Sequence, residues 1–346
     1  MKEVLTSAHA QLFRRAPDEC FRTFDDLWQH CQKQKSSSED LWRMPQEIRA
    51  VPTEGRLDLA IGEDRSLRMN SWSFGQLCQF AGVNRDTVNR LSAETAAQVF
   101  RETLPDNGKP LQVLHNQQVV RSVHAASYTR LHNVELLSLV REFATDFQPP
   151  QEAGGPESSG GSGLYAGEMD MFVFMIDPGG WTDIDGESFA PGFFLWNSEV
   201  GKRSVGVQSF WFQAVCRNHI VWDAVEVIDF SRKHTANVHD AVREIRGIIH
   251  RLVEKRDARR DGFVQVIRKA MKESLGTEPD DVLALLSKHG IGRAIAKEAL
   301  EIARTNGRFT IFSVVDALTR IAGRMQYAGD RTDVDQSASS LLALAR

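Results

Sequence analysis

Residues 204–215 have the sequence SVGVQSFWFQAV, and their pattern decides the fold class. The segment is apolar and aromatic, as strands often are, and it places Phe210 and Phe212 on one face and Trp211 on the other. Residues 164–176, 192–196 and 219–228 are predicted to be further strands, because turn residues such as Asp185-Gly186 separate them. The sequence therefore predicts an antiparallel β-meander at the centre of the fold.

The segments on either side of this meander define the predicted organisation. Residues 1–147 are predicted to form an N-terminal αβ block, residues 164–236 the meander that completes the core, and residues 237–346 a helical region. Residues 148–163, QPPQEAGGPESSGGSG, have the composition of a flexible linker or loop. The predicted class is thus α+β, with a central antiparallel β-meander, an N-terminal αβ block and a helical C-terminal third.

More local patterns refine this prediction. Two short strands are expected around Pro52-Thr53-Glu54-Gly55. One long amphipathic helix is predicted from residue 239 to about residue 275, and it is notably basic. Such a helix can lie along a polyanion, or it can present a solvated face. Shorter helices are predicted near residues 279–289, 291–305 and 312–322.

The composition excludes several classes of protein. The 346 residues are 42% hydrophobic, which is ample for a sizeable core, and the formal net charge of −4 gives no global attraction to polyanions. The four cysteines are scattered and predict neither a disulfide framework nor a zinc site. No apolar run is long enough to span a membrane. We expect a cytoplasmic protein with no membrane partner.

Residues 73–91 have the spacing of a helix-turn-helix. Gly82 would lie in the turn, and the second helix would expose Arg85, Asn89 and Arg90. A packed αα-hairpin requires the same small residue and the same apolar positions, and no basic arm accompanies the motif. A packed hairpin is the favoured interpretation, and a DNA-reading module is the alternative.

Other side chains suggest chemistry more weakly. Cys216 near His219 or His234 has the residue types of an activated thiol, but its place at the end of an apolar strand favours burial. The carboxylates between Glu168 and Glu187, including Asp183 and Asp185, are types that bind Mg²⁺. Phosphate-loop, dinucleotide, zinc-protease and serine-hydrolase motifs are absent from the sequence. We predict no catalytic residue, no metal ligand and no cofactor.

Three stretches together resemble a phage/plasmid-like family of unknown function. They are the turn Asn197-Ser198-Glu199-x-Gly201, the strand end Cys216-Arg217-Asn218, and Arg232-Lys233-His234-Thr235 before a long helix. The segment from Val123 through Tyr128, Leu131 and Asn133 to Glu135 is also similar to that family. The resemblance covers roughly residues 40–270 and implies a bacteriophage, plasmid or integrated element as the genetic context. More distantly, the architecture resembles phage single-strand annealing proteins of the Rad52-like kind.

The leading hypothesis is a non-enzymatic DNA-binding protein of a mobile element that grips single strands for annealing, recombination or replication, as a homo-oligomer. Basic side chains would contact phosphates and two tryptophans would stack on bases. The predicted nucleic-acid-binding residues are Lys202, Arg203, Arg217, Arg232, Lys233, Trp196 and Trp211. In the alternative interpretation, Phe210, Phe212 and Trp211 simply fill the two sides of a buried sheet while Lys202 and Arg203 lie at a solvated hairpin tip. A metal-dependent nuclease and an interaction protein that counters a host system are the alternative functions.

Overall fold

The computed structural model describes residues 19–62, 65–106, 108–153, 163–213, 219–222, 229–305, 309–325 and 328–345. These residues form two β-sheets and a set of helices that is concentrated in the C-terminal part of the chain. The predicted α+β class with a central antiparallel meander is confirmed. Among the described residues, no helix has both the length and the apolar composition needed to cross a bilayer.

The N-terminal part of the chain builds one six-stranded sheet with its helices. The elements up to residue 125 are β1 (Glu19–Cys20), α1 (Phe24–Ser36), β2 (Ser38–Arg43), β3 (Ile48–Thr53), β4 (Arg56–Ile61), β5 (Arg65–Met69), α2 (Ser71–Phe80), α3 (Arg85–Val88), α4 (Ala93–Thr103), β6 (Leu111–Asn116) and β7 (Val119–Ala125). The strand order is β2-β6-β7-β5-β4-β3, and all neighbouring pairs are antiparallel except β5 with β7. The hairpin predicted around residues 52–55 is β3–β4, and both Glu54 and Gly55 have positive φ, as its two-residue turn requires.

The predicted helix-turn-helix is α2 followed by α3. Leu77 and Val88 from these helices are buried beside Leu59 of the N-terminal sheet. Helix α3 is a single turn, and Asn89, which the sequence predicted to be exposed, is buried. The prediction for Asn89 was wrong because α3 ends at Val88, so that the next residue turns inward. The geometry is that of a packed hairpin.

The central sheet is formed mainly by the strands that follow residue 163. Its elements and their neighbours are α5 (Asn133–Phe143), α6 (Pro150–Ala153), β8 (Leu164–Ala166), β9 (Met171–Ile176), β10 (Thr182–Ile184), β11 (Glu187–Asn197), β12 (Val205–Gln213), β13 (His219–Trp222) and β14 (Asp229–Arg232). The strand order is β1-β8-β9-β11-β12-β13, with β10 beside β11 and β14 beside β12. The single strand predicted over residues 164–176 is a hairpin, β8–β9. Residues 148–153 of the predicted linker are also ordered, because Gln148 pairs with Ile176 through backbone hydrogen bonds.

Alternation along the strands gives the central sheet two apolar faces. One face carries Phe193, Leu195 and Val207, which pack on helices α1 and α5 and on the first C-terminal helix. The opposite face carries a set of aromatic residues and is termed the aromatic face; its members include Phe172, Phe174, Phe194, Phe210 and Phe212, with Trp196 packed against them.

The C-terminal region consists of α7 (Val238–Glu254), α8 (Arg256–Lys272), α9 (Pro279–Lys288), α10 (Arg293–Thr305), α11 (Ile311–Ala322) and α12 (Ala328–Leu342). The one long helix predicted from residue 239 is broken at Lys255 into α7 and α8. Helix α11 is buried along most of its length, for example at Val314 and Leu318. This region joins the central sheet where Trp211 stacks on Phe263, with ring centroids 4.2 Å apart.

Candidate functional site

The turn between β11 and β12, residues 197–203, is held by side chains on both of its sides. The Asn197 amide donates to the carbonyl of Leu131 at 2.9 Å and to the Asn133 side-chain oxygen at 2.8 Å. Ser198 Oγ accepts from the backbone N–H of Lys202 at 2.8 Å. These hydrogen bonds fix the backbone on which Lys202 and Arg203 stand.

Glu199 is the buried charge at the centre of this turn. Its carboxylate is 2.8 Å from the guanidinium of Arg121 on β7 and accepts from the backbone N–H of Asn133 at 2.8 Å. His132 Nδ1 lies 3.5 Å away. Burial opposes ionisation of Glu199, but the neighbouring His132 and Arg121 outweigh it and lower its pKa to about 2. Glu199 is therefore an anion at neutral pH.

Arg130 links the same turn to the edge of the N-terminal sheet. It makes two hydrogen bonds to the carboxylate of Asp40 on β2, at 2.9 and 2.8 Å, and it donates to the backbone carbonyl of Glu199. Two guanidinium–carboxylate pairs, Arg121–Glu199 and Arg130–Asp40, thus meet at the junction of the two sheets. We call these four residues the junction network.

A stack of three rings lies beside the junction network. His124 and Tyr128 are parallel with centroids 3.6 Å apart, and His234 lies 5.4 Å from Tyr128 on a plane tilted by 23°. Burial, reinforced by the charge of Arg130, lowers the pKa of His124 to about 3, and burial lowers that of His234 to about 4. Both imidazoles are neutral at pH 7.

The ring stack explains the glycine of the turn. Gly201 has φ of +74°, and a Cβ at this position would lie 2.6 Å from His124 Cε1 and 3.1 Å from Tyr128 Cε2. His124 Nε2 donates to the carbonyl of Val200 at 3.0 Å, and Tyr128 donates to the carbonyl of Glu199 at 3.0 Å. The backbone of the turn thus packs directly against the rings.

Two of the predicted binding residues are exposed lysines beside this assembly. Lys202 follows Gly201, and its Nζ lies 5.1 Å from the ring of Trp72. Lys233 precedes His234 and is also exposed. In the part of the chain that the structure describes, neither ammonium group forms an ion pair with a carboxylate.

The other predicted arginines are engaged or lie elsewhere. Arg203 is paired with Asp170 and with Asp333, each at 3.2 Å. Arg232 is paired with Glu244 at 2.5 Å. Both guanidiniums are therefore neutralised by neighbours, which weakens the prediction that they contact phosphates. Arg217, like Cys216, lies outside the described residues.

The two predicted tryptophans have different environments. Trp211 is fully buried and stacked on Phe263, so it has no free ring face, and its predicted contact with bases is incompatible with this structure. The alternative prediction, that it fills the sheet, fits. Trp196 is half-buried and stacks on Phe194 with centroids 4.9 Å apart.

Trp196 forms part of the wall of a cavity of about 310 Å³ between the aromatic face and α12. The cavity combines three aromatic rings with polar side chains, and its lining residues are Phe172, Phe194, Trp196, Arg203, Ser204, Gln208, Ser231, Asp333 and Gln336. A larger cavity, of about 590 Å³, lies between β3 and α4 and contains none of the predicted binding residues.

The carboxylates considered for a metal site are dispersed and engaged. Asp170 pairs with Arg203, Asp185 lies 3.7 Å from Arg268, and Glu187 accepts from Gln213 at 2.8 Å. Among the described residues, no group of three or more His, Cys, Asp or Glu side chains is arranged to hold a metal ion.

Sequence reasoning missed Arg121, Arg130, His124 and Gln208. Arg121 had a signal, because it stands alone in the apolar strand Val119–Ala125, where a charge must find a partner. The other three residues had no such signal in the sequence. Arg130 and His124, for example, contact a turn that lies about 70 residues further along the chain. The residues quoted for the family resemblance, in contrast, converge, and those that lie at this site are Tyr128, Asn133, Glu199, Gly201 and His234.

Residues 120–274 match the family described as Domain of unknown function (DUF932). The match contains the turn, the ring stack, Arg121, Lys233 and most of the cavity wall. Comparisons with curated proteins and with solved structures give no match. The resemblance to a family of unknown function is confirmed over these residues, and the comparisons lend no support to the more distant likeness to annealing proteins.

Proposed function

We propose that this chain is a DNA-binding protein of a mobile genetic element that grips single strands. The observation that carries the proposal is the pair of exposed lysines, Lys202 and Lys233, which lack carboxylate partners among the described residues and stand on a rigidly held surface. Ammonium groups of this kind attract phosphates, and a backbone that is already fixed loses little entropy on binding. In this proposal Lys202 and Lys233 contact the phosphates.

The neighbouring groups support a single strand as the ligand. Trp72 lies under Lys202, and the cavity that contains Trp196 opens beside Arg203, the next residue along the chain. Aromatic rings beside cations are what sequence-tolerant single-strand binding uses, since every base has a face that can stack. Arg203 and Arg232 act in this scheme by holding the surface in place, through Asp170 and Glu244.

Fluorescence anisotropy with labelled single- and double-stranded oligonucleotides tests the proposal. Wild-type protein is compared with Lys202→Glu/Lys233→Glu and with a control of equal charge change, Lys288→Glu/Lys297→Glu, at exposed lysines of α9 and α10. We expect single strands to bind more tightly than duplexes, and binding to be lost only in the first variant. If both variants weaken oligonucleotide binding equally, binding depends only on the overall charge of the protein, and the proposal is contradicted.

The same titration separates the alternative functions. Degradation of the oligonucleotide in Mg²⁺ but not in EDTA would indicate a nuclease. Absence of any oligonucleotide binding at micromolar protein would refute the proposal and favour a protein partner. Mass measurement by light scattering, with and without an oligonucleotide, tests the homo-oligomer that accompanies the proposal.

A further inference from the structure

The cavity between the aromatic face and α12 combines aromatic rings and polar side chains, the chemistry of a site for a flat polar ring. Trp196 stacks on Phe194 with 28° between the ring planes, and Trp196 is directly opposite Phe172 in the pairing of β11 with β9. The cavity volume of about 310 Å³ is at the lower end of the roughly 300–1,000 Å³ of small-molecule sites. It suits one ring system.

Gln208 supplies the observation that points to a particular class of ring. It lies opposite Phe194 on β12, lines the cavity and is only 6% exposed. Its side-chain amide makes no hydrogen bond with any residue that the structure describes. Because this amide opens to the cavity, it offers a donor and an acceptor side by side to a ligand.

We propose that this cavity binds a nucleobase, with Trp196 as the stacking surface and Gln208 as the hydrogen-bonding partner of the base edge. A base has a flat face for the ring and adjacent donor and acceptor atoms for the amide, and glutamine pairs with such edges in known readout. A hydrocarbon ring would leave the amide unsatisfied.

Two residues that line the cavity are close along the chain to the exposed lysines. Arg203 is preceded by Lys202, and Ser231 is followed two residues later by Lys233. Each exposed lysine is thus within two residues of the cavity lining, and a phosphate that leads away from the cavity is the group such a lysine attracts. The base could belong to a DNA strand, in which case this inference deepens and rests on the proposed function, or to a free nucleotide.

Gln336 of α12 allows a test that leaves the core intact. It is exposed and lines the cavity, so Gln336→Phe places a ring in the space, whereas Gln336→Ala enlarges it. Gln208→Leu removes the amide at similar volume. Each variant is titrated with oligo(dT) by anisotropy and with the nucleoside monophosphates by calorimetry. Wild-type protein is also photocrosslinked to an oligonucleotide that contains 5-iododeoxyuridine, and the crosslinked peptide is mapped by mass spectrometry.

We expect Gln336→Phe and Gln208→Leu to weaken oligonucleotide binding about tenfold, the loss of one stacked base, with Gln336→Ala unchanged and the crosslink at Trp196. A second outcome is that single strands bind, that Gln336→Phe and Gln208→Leu bind them as tightly as wild type, and that Trp196 is not crosslinked. In that case the cavity inference is wrong while the proposed function stands. If only mononucleotides bind, and Gln336→Phe abolishes this, the cavity inference stands and strand binding is refuted. If neither ligand binds, both are refuted.

Discussion

Replacement of Glu199 by glutamine should destabilise the junction of the two sheets strongly. The new side chain would keep an acceptor for the Asn133 N–H but would leave Arg121 buried without its counter-charge. Both side chains of the pair are less than a tenth exposed, and removal of one partner from such a pair costs about 3–5 kcal/mol. At about 2.1 cal/mol/K per residue, a chain of 346 residues that unfolds as one unit would lose roughly 4–7 °C in Tm.

Differential scanning calorimetry measures this change, and far-UV circular dichroism checks that the variant folds. The control is Glu298→Gln, whose ion pair with Arg324 is exposed on both sides and should contribute at most about 1 kcal/mol. In a double-mutant cycle, Arg121→Gln should cost much less in the Glu199→Gln background than in wild type. A Tm of Glu199→Gln within about 1 °C of that of the control would refute the view that the junction network joins the two sheets.

Three further results are expected. Gly201→Ala should lower the Tm by more than Gly55→Ala. Both glycines have positive φ, but only at Gly201 would the added Cβ also clash with His124. Equal losses in Tm would contradict the packing of the turn against the ring stack. Below about pH 6.5 the unfolded chain protonates both His124 and His234, whereas in the folded protein their pKa values are only about 3 and 4. Each of the two therefore makes stability fall by up to about 1.4 kcal/mol per pH unit between about pH 6.5 and its folded pKa. His234→Phe should make the slope of stability against pH shallower by up to about 1.4 kcal/mol per pH unit in urea titrations between about pH 6.5 and 4.5, and an unchanged slope would contradict the low pKa of folded His234. Trp211→Phe should lower the Tm but leave the oligonucleotide affinity measured by anisotropy unchanged, at a temperature where the protein is folded. A weaker affinity would show that Trp211 does contact the bases.

The fold could be predicted where a pattern along the chain is local. The strand β12 and the hairpin β3–β4 follow from alternation and from turn residues such as Glu54-Gly55. Helix α12 lies within the region predicted to be helical, but it was not predicted as a separate helix, because its sequence is largely polar. The break at Lys255 was missed because it falls in a charged run, residues 254–261, that contains neither proline nor glycine to mark the end of a helix.

The site was harder to predict because it depends on contacts between distant segments. Lys202 and Lys233 could be identified because each is a charged residue at the predicted end of a hairpin or strand, and this is visible in the sequence alone. That Arg203 would be neutralised by Asp333, 130 residues away, has no local signal. The burial of Trp211 likewise depends on α8, which packs on it from later in the chain. Composition cannot distinguish an aromatic residue on a binding surface from one in a core.

The salt dependence of single-strand affinity tests the central claim most directly. The affinity of wild-type protein for oligo(dT) is measured from about 50 to 300 mM KCl, and the slope of log K against log salt concentration is compared with that of Lys202→Glu/Lys233→Glu. Each phosphate contact of a single strand contributes about −0.7 to the slope, so loss of two contacts should make it shallower by about 1.4. An identical slope and affinity in wild type and variant would contradict the claim that these lysines hold the strand.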